Sequence, residues 1–89
     1  MTIDVNRLRL LAVGVPGVAR LADHRGSTTP VVPPASGALR VFDDRVEIDI
    51  VLAAPHSVTG TGDRLRAALG GHLGGRPLHI TVEDVEHAD

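Results

Sequence analysis

The stretch Val46–Leu52, which reads VEIDIVL, decides the fold of this chain. Successive side chains of a β-strand point to opposite faces, so this alternation predicts a strand with one apolar and one acidic face. The apolar face is expected to meet the core and carries Val46, Ile48, Ile50 and Leu52. The acidic face carries Glu47 and Asp49, and we expect both carboxylates to be solvated.

The residues on either side of this strand predict its partners. Before it, the short run Leu39–Phe42 and the pair Asp43-Asp44 predict a β-hairpin, because aspartates tolerate turn geometry. After it, residues 78–85 (LHITVEDV) alternate in the same way and predict the last strand. Between these strands we expect a short helix from Asp63 to Leu73, which residues 74–77 terminate. Its inward face should carry Leu65, Ala68, Leu69, His72 and Leu73.

The N-terminal segment has the periodicity of a helix with Asp4 as its N-cap. Its apolar stripe consists of Val5, Leu8, Leu11, Ala12 and Val15. The helix should end near Gly14–Pro16, because proline disfavours the helical conformation of the residue before it. Arg7 and Arg9 ahead of an uncharged run resemble the start of a signal peptide, but the glycines and proline within that run favour a structural helix.

Two further segments complete the secondary-structure prediction. Val18–Leu21 predicts a short strand. Residues 23–38 are rich in Pro, Gly, Ser and Thr and predict a long loop. Three explanations of its length remain open: a binding loop, plain disorder, or an unrecognised strand around Val31-Val32. Together the elements predict one α+β domain over residues 1–89, with two helices on one face of a three- to four-stranded sheet, in the order α-β-β-β-α-β.

The composition limits both the core and the partners. The apolar fraction is 43%, but Phe42 is the only aromatic residue. The core is therefore aliphatic and thin, and we expect a partner surface or a homo-oligomer. The chain has no cysteine and a net charge of −2, which excludes a disulfide framework and argues against nucleic acid as a partner. No apolar run approaches the roughly 18 to 20 residues that a membrane span needs.

No segment forms a recognisable catalytic, cofactor-binding or metal-binding constellation, so we expect a protein that is not an enzyme. Residues 59–64 (TGTGDR) lack the third glycine of a dinucleotide fingerprint and the Gly-Lys of a P-loop, and predict a flexible connection with Asp63 as a helix cap. The histidines lack the spacing of metal ligands: His24, His56, His72, His79 and His87. No nucleophile-elbow context surrounds the serines, Ser27, Ser36 and Ser57.

The order of the elements carries a resemblance to a known family. A helix that ends in Val15-Pro16-Gly17-Val18, the strand Val46–Leu52, a second helix and the terminal strand His79–Val85 together resemble the alkaline-shock and general-stress family of bacterial envelope stress proteins. The resemblance implies a small cytoplasmic α+β protein without catalysis, held near the membrane by an anchoring protein. It implies no catalytic, cofactor-binding or metal-binding residues.

Our leading hypothesis is a non-enzymatic interaction or scaffolding module of the envelope stress response. It would act through a sheet edge, at Val18–Leu21 or Leu39–Phe42, or through the exposed faces of its two helices. We expect it in the cytoplasm, or at the inner face of the cell membrane where an anchor protein binds it, without inserting itself. The alternative is a regulatory domain in which residues 23–38 close over the sheet and Arg40 or Arg45 binds an anionic small molecule.

Overall fold

The computed structural model describes residues 3–22 and 38–87. In chain order the elements are α1 (Val5–Val13), β1 (Val18–Leu21), β2 (Leu39–Val41), β3 (Val46–Ala54), α2 (Val58–Leu69) and β4 (Leu78–His87), and a 3-10 turn at Gly70–His72 extends α2. This order confirms the predicted α-β-β-β-α-β arrangement. The loop predicted over residues 23–38 lies, apart from Ala38, outside the described residues.

β3 is the central strand of a mixed sheet. One of its edges pairs antiparallel with both β1 and β2, and its other edge pairs parallel with β4 over its whole length. β1 lies opposite residues 50–52 of β3 and β2 lies opposite residues 46–48. The two short strands therefore lie end to end along the same edge. Over residues 3–22 and 38–87 the sheet has four strands, but it is only three strands wide.

The backbone of Asp49 marks the point where β1 ends and β2 begins. The N–H of Ala22 donates to the carbonyl of Asp49 at 2.9 Å, and the N–H of Asp49 donates to the carbonyl of Ala38 at 2.8 Å. A regular antiparallel partner makes both of these bonds with a single residue. Here two residues, sixteen positions apart in the chain, share them.

α1 begins and ends where the sequence predicts. The Asp4 carboxylate accepts a hydrogen bond from the backbone N–H of Arg7 at 3.1 Å, which caps the first turn. Leu8 and Ala12 on the inward face are fully buried. Gly14 is the C-cap, so the helix stops two residues before Pro16.

Residues 15–18 (VPGV) connect α1 to β1 through a tight turn. The N–H of Val18 donates to the carbonyl of Val15 at 3.1 Å, and Gly17 between them has a φ of 103°. Proline at the second position and glycine with positive φ at the third are typical of a type II turn. A Cβ at Gly17 would overlap the side chain of Thr61 on α2. Glycine is therefore required both by the backbone conformation and by the close approach of α2.

The predicted start of the second helix, at Asp63, is wrong. α2 begins at Val58, and Ser57 caps it by accepting a hydrogen bond from the N–H of Gly60 at 3.0 Å. Residues 59–62 (TGTG) thus form helical turns instead of a flexible connection. Thr61 and Gly62 are buried, and this tertiary packing outweighs the low intrinsic helix propensity of the glycines.

Both helices pack on one face of the sheet, which we call the helix face. Alternate residues of β3 supply its centre, as the alternation in VEIDIVL predicts. The core between the layers is aliphatic and consists of Leu8, Ala12 and Val15 from the first helical segment, Leu65, Leu69 and Leu73 from the second, and Val18, Leu21, Leu39, Val46, Ile48, Ile50 and Leu78 from the sheet. His72, predicted to point inward, is exposed.

β4 contains a β-bulge at Glu83. Ile50 pairs with Val82 but the next residue, Val51, pairs with Asp84, which leaves Glu83 as the extra residue. Paired residues on neighbouring strands point to the same face of a sheet. The bulge therefore changes which residues of β4 lie on the helix face, and these are Leu78, Ile80, Val82, Val85 and His87.

Candidate interaction surface

The sheet face opposite the helices carries a network of arginines and carboxylates, and we call it the polar face. Asp49 lies on this face but is only 2% exposed, so the prediction that it is solvated is wrong. The guanidinium group of Arg40 binds the Asp49 carboxylate through two hydrogen bonds of 2.9 and 3.1 Å. Asp49 is buried because strands flank β3 on both sides and because this guanidinium satisfies its charge.

Glu47 is half-buried and joins two arginines on the polar face. Arg45 Nε donates to its carboxylate at 2.8 Å, and Arg40 Nε donates to it at 3.2 Å. These bonds, first from Arg45 and then from Arg40, lower the pKa of Glu47 below its ordinary value. Hydrogen bonding to Asp49 in turn raises the pKa of Arg40. The carboxylates of Glu47 and Asp49 are therefore both bound by arginines, which does not suit general acid–base chemistry.

A second ion pair crosses the central strand on the polar face. Arg20 on β1 pairs with Val51 of β3, while Glu86 on β4 pairs with Ala53 of β3. The side chains of Arg20 and Glu86 form a salt bridge, so they span β3 from one neighbour strand to the other. Val51 beneath this bridge is only 3% exposed although it faces away from the helices.

The fold does not bring together the described residues that the sequence offered as metal-binding or catalytic candidates. The four described histidines are exposed and lie on separate parts of the fold, at His56, His72, His79 and His87, and His24 lies outside the described residues. Within residues 3–22 and 38–87, no three His, Asp or Glu side chains could hold a metal ion. Ser57 serves as the cap of α2, and Ser27 and Ser36 lie outside the described residues.

An apolar groove runs between α1 and α2 on the side away from the sheet, and we call it the helix groove. It has a volume of about 580 Å³ and is open to solvent. Leu10, at its rim, is 71% exposed, and Val13 on the same helix is 50% exposed. The residues that line it are Leu10, Leu11, Gly14, Val15, Pro16, Arg64, Ala67 and Ala68. Leu10 is the most exposed large apolar side chain among the described residues.

Arg64 places a cation at one end of the helix groove. Its Nε donates to the carbonyl of Pro16 at 3.0 Å, which ties α2 to the turn after α1. One terminal nitrogen lies 3.4 Å from Nδ1 of His56 and 3.5 Å from Oγ1 of Thr61. Its described contacts include no carboxylate, in contrast to those of Arg40 and Arg45.

Charge is segregated between the helices and β4. α1 and α2 together carry four arginines (Arg7, Arg9, Arg64 and Arg66) against a single aspartate, Asp63. β4 carries no Lys or Arg and three acids: Glu83, Asp84 and Glu86. The chain as a whole has a charge of −2, so the two helices are more basic than the composition indicates.

Sequence reasoning did not predict the helix groove. The inward stripe of α1 was predicted correctly, but the large apolar residues outside that stripe, Leu10 and Val13, were left without a role. Of the two, Leu10 lines the groove, so its large apolar side chain on the outer face of an amphipathic helix was the available signal. The contribution of α2, from Ala67 and Ala68, depends on how the helices pack and has no local signature.

Comparison of the chain with protein-family models, with curated proteins and with solved structures gave no match. Within residues 3–22 and 38–87, no helix has the length and apolar character required to cross a membrane.

Proposed function

We propose that this protein is a non-enzymatic interaction module of the bacterial envelope stress response, which binds a protein partner in the helix groove. The envelope-stress setting rests on the family resemblance of the sequence. The mode of action rests on one observation, the open apolar groove between α1 and α2 with an arginine at its end. A membrane anchor protein is the expected partner, and it would hold the module at the inner face of the cell membrane.

The chemistry of the groove favours an amphipathic helix with acidic residues as the bound segment. Leu10 at the rim and the alanines of α2 offer apolar side chains of the kind that receive the apolar face of a helix. Arg64, which lines the groove, favours a segment of negative charge.

The alternative, an anionic small molecule bound by Arg40 or Arg45, is supported less well. Arg40 binds Glu47 and Asp49, and Arg45 binds Asp44 and Glu47. A ligand anion would have to displace these carboxylates. Ligand screening by thermal shift tests this alternative, since a ligand at 100 times its Kd adds about 2.7 kcal/mol to the free energy of unfolding.

The test of the proposed function is affinity capture with tagged full-length protein from separate soluble and membrane fractions of the host, compared between two variants. Leu10→Glu places an acid at the rim of the groove, at a side chain that is already 71% exposed. His72→Glu places the same acid at an exposed position that does not line the groove. We expect a membrane protein to be captured by the wild type and by His72→Glu but not by Leu10→Glu.

A direct measurement must follow, because capture alone does not define a site. The captured protein's acidic helical segment, made as a peptide, should bind the wild type and lose at least about tenfold in affinity with Leu10→Glu. Binding should also weaken as salt rises, because Arg64 contributes a charge. Equal capture by Leu10→Glu and the wild type, or binding that is independent of salt, would overturn the proposed groove.

A further inference from the structure

β4 has a second edge that no described residue pairs with. The N–H of Val46 donates to the carbonyl of Pro77 at 2.9 Å, and hydrogen bonding alternates along a parallel strand. His79 and Thr81 therefore direct their backbone groups toward β3, whereas Ile80 and its alternate neighbours direct theirs away from it. After the bulge the N–H of Val85 bonds its neighbouring Asp84 carboxylate at 2.8 Å, which shows that it too points outward.

The backbone groups that point outward belong to the residues on the helix face of β4. Val85 is 41% exposed, and Ile80 and Val82 are half-buried. A groove of about 250 Å³ separates β4 from α2 along this edge and is lined by Val58, Thr59, Gly62, Asp63, Arg66, Ile80 and Val82. Val58 on α2 is 56% exposed. The edge thus joins backbone groups that no described strand pairs with to an apolar strip formed by Val58, Ile80, Val82 and Val85, beside the polar Asp63 and Arg66. This combination favours strand addition.

The bulge at Glu83 makes β4 complementary to a second copy of itself. In an antiparallel pair of strands, the side chains of two opposite residues must lie on the same face of the sheet. Their backbone N–H and C=O groups must also both point toward the other strand or both point away from it. If a regular ten-residue strand pairs with a second copy of itself over its full length, each residue on one face of the sheet lies opposite a residue on the other face. One extra residue in the middle of the strand corrects this mismatch, so pairing about a two-fold axis satisfies both conditions on either side of the central Val82 and Glu83.

The resulting register has complementary side chains. On the helix face, Ile80 of one copy lies opposite Val85 of the other, and both carry outward backbone groups, as do Leu78 and His87. On the polar face, His79 lies opposite Glu86, which places a basic group beside an acid. These pairs require no rearrangement of the sheet within either copy.

We propose that two copies of the protein associate through antiparallel pairing of their β4 strands, with Leu78 opposite His87 and Ile80 opposite Val85. The dimer joins the two sheets into one and covers the apolar strip between β4 and α2. The helix groove lies on the α1 side of α2 and stays open in each copy. Dimerisation therefore goes beyond the proposed function and presents two grooves on one particle.

The acids near the two-fold axis limit the affinity of this dimer. Glu83 of one copy lies opposite Val82 of the other, so the two Glu83 carboxylates are close neighbours. Like charges at such positions destabilise strand pairing. Replacing Glu83 with Gln should tighten the dimer about threefold, which corresponds to about 0.65 kcal/mol.

Disulfide trapping tests the register directly, because the chain has no cysteine of its own. His79 and Glu86 form a pair of the closely spaced type, with about 4.5 Å between Cα atoms, which suits a disulfide. The double variant His79→Cys, Glu86→Cys should oxidise to a covalent dimer. The matched control Thr81→Cys, Glu86→Cys has the same number of thiols in a register two residues out and should give little dimer.

Two further measurements, made without cysteine variants, keep the test independent of how those variants fold. Sedimentation equilibrium should show a dimer that strengthens with Glu83→Gln. Amide exchange at rising concentration should slow at Ile80 and Val82, while His79 and Thr81, already bonded to β3, should change little. A monomer at all concentrations, equal trapping in both cysteine variants, or a dimer without protection of Ile80 and Val82 would each overturn the proposal. None of these outcomes depends on binding in the helix groove.

Discussion

Arg40 binds the buried carboxylate of Asp49 at the exact residue where β1 gives way to β2, with Nη1 donating to Oδ2 at 2.9 Å and Nη2 donating to Oδ1 at 3.1 Å. The side chain of Asp49 is 3% exposed and that of Arg40 is 27% exposed. The charge of Asp49 is thus tolerated inside the sheet because a planar guanidinium group, itself in contact with solvent, compensates it.

Arg40→Ala should lower the free energy of unfolding by about 3 kcal/mol, because removal of one partner leaves a buried charge without its main compensation. Urea denaturation monitored by circular dichroism measures this change. The double variant Arg40→Ala, Asp49→Ala should recover part of the loss, since no buried carboxylate remains. Arg45→Ala is the matched control, and its effect should be much smaller because its partners are more exposed. Equal losses for Arg40→Ala and Arg45→Ala would contradict this account.

The two glycines Gly17 and Gly70 should respond in opposite directions to alanine. Gly17 has positive φ and lies against Thr61, so Gly17→Ala should cost about 2 to 5 kcal/mol from backbone strain and overlap. Gly70 has helical angles, φ −54° and ψ −38°, and open space beside it. Gly70→Ala should therefore add about 0.4 to 1 kcal/mol to the free energy of unfolding. Thermal unfolding of both variants checks the contrast, and a neutral Gly17→Ala would refute the close contact.

Ser57→Ala should destabilise the protein by about 1 kcal/mol through loss of the cap of α2. The effect should be visible because the first turns of this helix contain Gly60 and Gly62, which have low helix propensity. Denaturant titration measures it, and Ser57→Asp should restore most of the stability, since aspartate also caps. If α2 instead began at Asp63, Ser57→Ala would be silent and Asp63→Ala would carry the cost.

Stability should fall on acidification partly through Glu47. The arginines Arg45 and Arg40 lower the pKa of Glu47 in the folded state, so the unfolded state binds its proton more readily as pH falls. The contribution of Glu47 is present above its unfolded pKa of about 4.3 and is lost as pH falls through the lowered folded value. Glu47→Gln should therefore reduce the drop in Tm between neutral and acidic pH. Asp43→Asn, an exposed carboxylate of the same hairpin, serves as control; a Glu47→Gln curve parallel to wild type would contradict the linkage.

The sequence was a sufficient guide wherever one segment carried its own periodicity. The alternation of Val46, Ile48 and Ile50 predicted a strand with one core face, and Asp4 predicted the start of α1, because both signals arise from neighbouring residues. Burial of Asp49 was missed, since it depends on a cation nine positions away. The start of α2 was missed because packing of Thr61 against Gly17 outweighs the glycines around it.

The candidate site was less predictable than the fold for the same reason. Leu10 stood outside the inward stripe and was a usable signal, but the groove also needs Ala67 and Ala68 at the correct distance on another helix. The bulge at Glu83 has no sequence signature at all. It is apparent only from the pairing of β4 with β3, and it determines which residues of β4 direct their backbone groups to the outer edge.

The shared pairing of Ala22 and Ala38 with Asp49 bears on how such a chain tolerates change. The N–H of one alanine and the carbonyl of the other occupy the place of a single residue in the ladder. Along the edge of β3, Leu21, the place shared by the two alanines, and Leu39 follow one another without a gap. Leu21 and Leu39 lie on the same face of the sheet. The pairing with β3 therefore fixes the positions of these two alanines in the sheet but not the number of residues between them.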